Sequence, residues 1–221
     1  ELVDEPKEVE RLSSEASEKF ERAARLYPGQ AGSWRRWSAH LQDRARAERN
    51  PARRRELWQA ALDKLENGVQ ADPEEAATWV MWGQTLSELY WEGAEYEKPL
   101  LISAIIEKYE KALDLEADDQ AGVWTLLGRA RLEASTLTSD ISVCGSELEN
   151  AAAAADCFEK ACVLAPGQAA RWSDWGRAVF RLAPLRDHHP SALAAPAGAG
   201  DKYEPALALE PEHEEHHTGV S

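Results

Sequence analysis

Apolar residues recur along this chain with the spacing of helix faces. Trp79, Trp82, Leu86 and Leu89 fall at i, i+3, i+7 and i+10, one side of a helix. Ile102, Ile105, Ile106, Tyr109, Ala112 and Leu113 make a second such face further on. No segment sustains the apolar–polar alternation of a strand, so the pattern predicts an all-α chain. Pro28, Pro73 and Pro166 each stop a helical stretch, because Pro cannot continue a helix and restricts the residue before it. The six residues from each of these prolines to the next Trp read as a tight turn, with Asp72 before Pro73 as an N-cap candidate.

The pattern repeats. Trp34 and Trp37-Ser38 are followed by Trp79 and Trp82-Gly83, Trp124 and Leu127-Gly128, then Trp172 and Trp175-Gly176, in steps of 45, 45 and 48 residues. A second set of anchors shares the period: KFERAARLYP, KLENGVQADP, KYEKALDLEA, CFEKACVLAP and KYEPALALEP. In four of these an aromatic precedes an Ala by three: Phe20/Ala23, Tyr109/Ala112, Phe158/Ala161 and Tyr203/Ala206. Each unit therefore predicts two helices, the Gly or Ser after the second bulky residue letting a neighbouring backbone approach closely. One helix pair cannot bury both its faces, so the units must stack. Seven of the nine tryptophans recur at these first-helix positions and are expected to be core.

These residues resemble the tetratricopeptide repeat family, whose pattern runs W-x2-L-G, small Ala, aromatic, Ala, Pro. Trp124-Thr-Leu-Leu-Gly128 followed by Phe158, Ala161 and Pro166 carries the likeness, and Trp172-x2-Trp175-Gly176 matches its first half. That family repeats every 34 residues, so these copies insert roughly ten more between the two helices. Inserts of that length, with Trp82 to Leu89, the Ile105-x2-Lys108-Tyr109-Glu110-x-Ala112-Leu113 helix and Trp124-x3-Gly128, are similar to the plant-type mitochondrial import receptor over residues 75–166. The resemblance implies a right-handed α-solenoid with long interhelical loops and a non-catalytic, protein-binding role. It places the concave binding surface on first-helix positions beside the tryptophans. These are Val80, Gln84, Ser87 and Glu88, then Thr125, Arg129, Leu132 and Glu133, then Ser173, Arg177, Phe180 and Arg181. Chaperone-binding members carry Lys and Asn there; none of these positions is Asn, which argues against a heat-shock adaptor.

The expected organisation is a capping helix over residues 1–30, with Val9, Leu12, Ala16, Phe20, Ala23 and Tyr27 on one face. Units follow at 31–73, 74–118, 119–167 and, in part, 168–182. A Pro/Gly/Ala-rich linker covers 183–201, and a degenerate last repeat with a tail covers 202–221, where Pro205 interrupts the second-helix wording. The chain opens on Glu1 without a Met, as expected if an upstream segment is either cleaved off or not included in this sequence.

Length and composition bound the function. The 221 residues are long enough for a real core, and 43% hydrophobic with 29% charged residues describes an ordinary globular chain. The longest apolar run, Leu100 to Ile106, falls far short of the ~18–20 residues of a membrane span. The net charge of −15 opposes nucleic-acid binding and suits basic targeting helices. Against it stands a basic island: Arg35, Arg36, Arg44, Arg46, Arg49, Arg53, Arg54 and Arg55, mostly in the first unit's interhelical connection. It reads as an exposed loop kept soluble by charge or as a docking patch for an anionic partner. Cys144, Cys157 and Cys162 match no metal spacing or disulfide framework and read as structural thiols of an intracellular, reducing compartment, the cytosol or an organelle. His213-Glu214-Glu215-His216-His217 spells H-E-x-x-H, but no third ligand follows and no apolar face would dock it; His188-His189 read as solvated. No phosphate-binding loop, dinucleotide fingerprint or nucleophile elbow occurs, so no cofactor, small-molecule substrate or enzymatic activity is expected. The expected function is a protein-interaction scaffold, a subunit or receptor in a larger assembly. An RNA-processing helical-repeat subunit and a receptor for basic targeting peptides are the alternatives.

Overall fold

The computed structural model describes residues 5–137 and 145–187, and these form eight α-helices with no strand among them. In order they are α1 (Glu5–Leu26), α2 (Ala31–Ala47), α3 (Pro51–Ala71), α4 (Ala76–Glu92), α5 (Lys98–Asp114), α6 (Gln120–Ala134), α7 (Glu147–Leu164) and α8 (Ala169–Asp187). The chain divides into two compact units, Glu1–Glu97 with α1 to α4 and Lys98–Ser221 with α5 to α8.

In the first unit, the small residue after the tryptophan pair sets how α2 meets α3. Ser38 is fully buried and its hydroxyl donates to the Ala61 carbonyl at 3.0 Å, while the Gln42 amide donates back to that hydroxyl at 3.2 Å. Gly68 does the same for α3 against α4: a Cβ there would lie 3.2 Å from Thr78 Cγ2 and 3.4 Å from Trp34 Cβ. Trp58, Leu65, Leu86 and Leu89 fill the core between these helices. The face of α1 is slipped from the expected one. Leu12 and Tyr27 are exposed, whereas Ala24 is fully buried and Phe20 packs on the His40 ring with centroids 5.5 Å apart. The contact stripe runs through Ser13, Ser17, Phe20 and Ala24, and small Ser side chains let α1 sit close to His40 Nε2, 3.4 Å from the Ser13 hydroxyl.

In the second unit the same logic appears in its tightest form. A Cβ on Gly128 would lie 2.9–3.0 Å from three ring atoms of Phe158, which is fully buried. Leu132, Ala154, Ala155, Phe158, Cys162, Trp175, Ala178 and Val179 form one core across α6, α7 and α8, with Trp172 packed on its edge.

The tryptophans are less buried than expected. Only Trp175 of the seven repeat positions is buried; Trp34, Trp37, Trp79, Trp82, Trp124 and Trp172 are half-buried. Their second task is local. The indole N–H of Trp34, Trp79 and Trp172 donates to the carbonyl of Pro28, Pro73 and Pro166, at 3.2, 2.9 and 2.9 Å. Each indole then lies against the next in its own helix: Trp34 stacks on Trp37 at 6.0 Å and Trp79 on Trp82 at 5.8 Å, while Trp172 is tilted against Trp175 at 5.5 Å. The indole thus closes the turn that joins one hairpin to the next. Asp72, expected to cap α4, instead ends α3 and accepts the Glu74 N–H; Glu75 is the N-cap of α4.

The inserted residues, expected as loops, are helix in the first two pairs. Only residues 48–50 separate α2 from α3, and 93–97 separate α4 from α5; the longer connection is 135–146, between α6 and α7. The cause at α3 is local: the Asn50 side chain accepts the N–H groups of Ala52 and Arg53, and Pro51 sits at the first helical position, so α3 starts at once. Residues 183–187, expected as linker, are helix, since α8 continues past Leu182 to Asp187 with Pro184 in its last turn; the rest of that stretch lies outside the described residues.

Two substitutions test this packing. Trp79→Phe removes the indole N–H that donates to Pro73 and trims the ring that stacks on Trp82, so urea titration is expected to show a loss of about 1–2 kcal/mol. Gly128→Ala gains roughly 1 kcal/mol of helix propensity but overpacks against Phe158 by about 1–3 kcal/mol, so the expected net change is destabilising by about 1 kcal/mol. A higher melting temperature for Gly128→Ala would refute the close approach.

Candidate protein-binding surfaces

The arginines of the basic island lie mostly on helices, with Arg49 alone of the eight in the connection between α2 and α3. Four of them reach carboxylates around α4. Arg35 pairs with Glu75 at 2.9 Å, Arg46 with Glu88 at 3.6 Å, Arg54 with Glu92 at 2.5 Å and Arg55 with Glu97 at 2.7 Å. The Trp58 indole also donates to Glu92, at 3.3 Å, and the Arg46 guanidinium lies 5.5 Å from the Trp58 ring. These pairs are partly exposed, worth ~0–1 kcal/mol each, and they fix how α2 and α3 meet α4 more than they stabilise it. Arg36 lines an open cleft of about 320 Å³ with Gly29, Gln30, Asp72 and Glu75; Arg44 is half-buried; Arg49 and Arg53 are exposed.

Val80, Gln84, Ser87 and Glu88 share one stripe of α4. Gln84 is exposed and the others half-buried, and the Ser87 hydroxyl is turned back onto the Gly83 carbonyl at 2.9 Å. The stripe continues to Trp91, i+11 from Val80, which is 64% exposed and edge-on to buried Tyr90 at 5.1 Å. Tyr96, in the following turn, is 81% exposed. Neither aromatic was anticipated. A signal for Trp91 did exist: it lies at i+11 from Val80, three helical turns along the stripe expected to face outward.

In the second unit Arg129 and Arg177 converge on the Asp174 carboxylate, Arg129 at 2.7 Å and Arg177 at 3.4 Å. Arg181 instead reaches Glu147 and the Ser135 carbonyl, joining α8 to the connection between α6 and α7. Glu133 is half-buried. Thr125 and Leu132, expected on the binding surface, are buried, because α7 and α8 close over that side of α6. Cys157 and Cys162 are buried in α7, and burial pushes the Cys157 thiol up to about 12, as befits a packing residue. Cys144, His188-His189 and the His213–His217 motif lie outside the described residues. Among the described residues no three metal-binding side chains cluster, and no helix is long and apolar enough to cross a membrane.

A family model described as plant specific mitochondrial import receptor subunit TOM20 matches residues 52–174, more than half of the chain. The chain belongs to this family. The TOM20 match starts at the head of α3 and runs into α8, so it includes the α4 stripe, both exposed aromatics and the Arg129–Asp174 pair. No individual curated protein matches the sequence. Among solved structures, a crystal structure of MamA superimposes with a TM-score of 0.60 at 15% identity, covering 98% of this chain and 93% of that one. The 41-end fragment of MamA from Desulfovibrio magneticus RS-1 gives 0.59 at 15% identity, covering 97% and 99%. At that identity the likeness is one of fold, an all-helical, tetratricopeptide-like repeat.

The Arg55–Glu97 tie predicts a pH response. The Arg55 guanidinium, helped by the Ala94 N–H, holds the Glu97 carboxyl below its ordinary value. A depressed carboxyl contributes stability above its unfolded pKa and loses it as pH falls through the folded value. Protection of the amides at the end of α4, measured against the intrinsic exchange rate at each pH, is therefore expected to fall on acidification through the carboxylate range, and Glu97→Gln is expected to flatten that dependence. Identical profiles for the two chains would rule the tie out.

Proposed function

We propose that this chain is a non-catalytic receptor that holds polypeptide segments, and that the segments are basic amphipathic helices of the organelle-targeting kind. The observation that carries this reading is the α4 stripe. Val80, Gln84, Ser87, Glu88 and Trp91 present apolar ends around a polar, acidic middle, and Tyr96 adds a second exposed ring beside them. A helix with an apolar side would cover Trp91 and Tyr96, while its lysines and arginines would meet Glu88 and exposed Glu95. The net charge of −15 draws such a partner from a distance. Membership of a family named for mitochondrial import supports the same class of partner, and supports work at an organelle.

The test uses a fluorescent synthetic peptide with lysine and arginine on one side of a helix and leucine on the other, titrated by anisotropy. Binding is expected to weaken with added salt, and Trp91→Ala or Tyr96→Ala is expected to weaken it about fivefold, ~1 kcal/mol each, with folding intact because both rings are exposed. A scrambled peptide of the same composition that binds equally well, or alanine variants that bind as the parent does, would overturn the proposal.

A further inference from the structure

Phe180 is 72% exposed on α8. Its counterpart in the preceding unit, 48 residues earlier, is Leu132, which is 8% exposed because α8 brings Trp175, Ala178 and Val179 into the same core. A large apolar side chain at this register is thus a contact residue once something packs on it. The ring has apolar company, since Ala183 and Pro184, at i+3 and i+4, are also exposed. At i−3 stands Arg177, and at i−4 Gly176, so no acid occupies the helix positions that adjoin the ring.

The positive charge beside the ring is only partly used. Arg129 grips one oxygen of Asp174 twice, through Nε at 2.9 Å and Nη2 at 2.7 Å. Arg177 reaches the other oxygen through a single long contact of 3.4 Å, and its side chain is 61% exposed. A guanidinium carries five N–H donors, so most of those on Arg177 have no protein acceptor among the described residues. Asp174 is buried, and one carboxylate cannot neutralise two cations. Arg181, the next residue after Phe180, is already tied to Glu147 and the Ser135 carbonyl, and Glu133, one turn past Arg129 on α6, is half-buried. Arg177 is therefore the cation available at this face. It can turn to an incoming carboxylate without orphaning Asp174, because Arg129 keeps that acid paired.

We infer that this face of α8 docks an acidic polypeptide segment carrying a large apolar side chain. The apolar group covers Phe180 and Pro184, and a flanking carboxylate takes two parallel N–H donors of the Arg177 fork. The chain's net charge of −15 does not forbid this, since charges more than ~8 Å away are largely screened at physiological salt and the cation at contact decides. Such a partner is opposite in sign to the basic helix proposed for α4, so the inference stands apart from that reading.

The probe is a fluorescein-labelled hexapeptide with a phenylalanine–leucine pair between two pairs of glutamates, titrated into the full chain at physiological salt and followed by anisotropy. Saturable binding is expected, weakened about fivefold or more by Phe180→Ser and by Arg177→Gln and unchanged by Trp91→Ala. Replacing the glutamates of the peptide with lysines is expected to weaken binding at least tenfold. Phe180→Ser alters an exposed side chain, and Arg177→Gln leaves Asp174 bound to Arg129; should Phe180→Ser lower the melting temperature, Arg177→Gln decides. Absence of saturable binding to the parent chain, equal binding of the lysine peptide, or variants that bind as the parent does would overturn the inference. Loss with Trp91→Ala in place of Phe180→Ser would also overturn it and move the acidic segment to the α4 stripe. A parent chain that sediments as a dimer, and as a monomer after Phe180→Ser, would overturn it too and assign the face to a second copy.

Discussion

How closely two helices approach within a hairpin is decided by one atom that is absent. At Gly128 there is no Cβ, and the Phe158 ring fills the space it would need. At Ser38 the side chain is small enough to stay, and it uses its hydroxyl to bond the facing backbone at Ala61. The spacing so set leaves the long apolar side chains of the core, Leu65 or Leu132, in contact across the gap. Interiors packed at crystal density tolerate no slack at such a point, which is why a methyl group there outweighs the helix propensity it would bring.

Most of the architecture was legible because its signals are periodic. The aromatic and small anchors recur at nearly constant steps, and the helices and their pairing follow from them. The turn bonds were missed although their spacing is in the sequence: each indole meets the carbonyl of the Pro six residues before it, at Pro28, Pro73 and Pro166. The misread loops have a clear reason too. Asn50-Pro51 is a turn signal in isolation, but the same two residues are an N-cap and a first helical position, and only the residues downstream decide between them. Of the candidate surface, Gln84, Glu88, Arg129 and Arg177 could be placed from helical register, whereas Leu132 could not, because its burial depends on where the next helix lands.

The charge distribution carries a second lesson. An arginine island in an acidic chain invites the idea of an anion site, yet Arg35, Arg46, Arg54 and Arg55 turn to glutamates at and around α4. Half of the island is thus used within the first unit, holding helices in register, while Arg36, Arg49 and Arg53 stay exposed. The long-range field of the molecule follows its net charge of −15.

Buried thiols give this molecule a stopwatch of its own. Cys157 and Cys162 are both buried in α7, Cys162 within the α6–α7–α8 core, and a Cys157 thiol held near 12 offers almost no thiolate at neutral pH. An alkylating reagent can react there only during the brief intervals when α7 lifts from its neighbours. The labelling rate at those two sulfurs therefore times the breathing of the second unit directly, with no dye or engineered residue added.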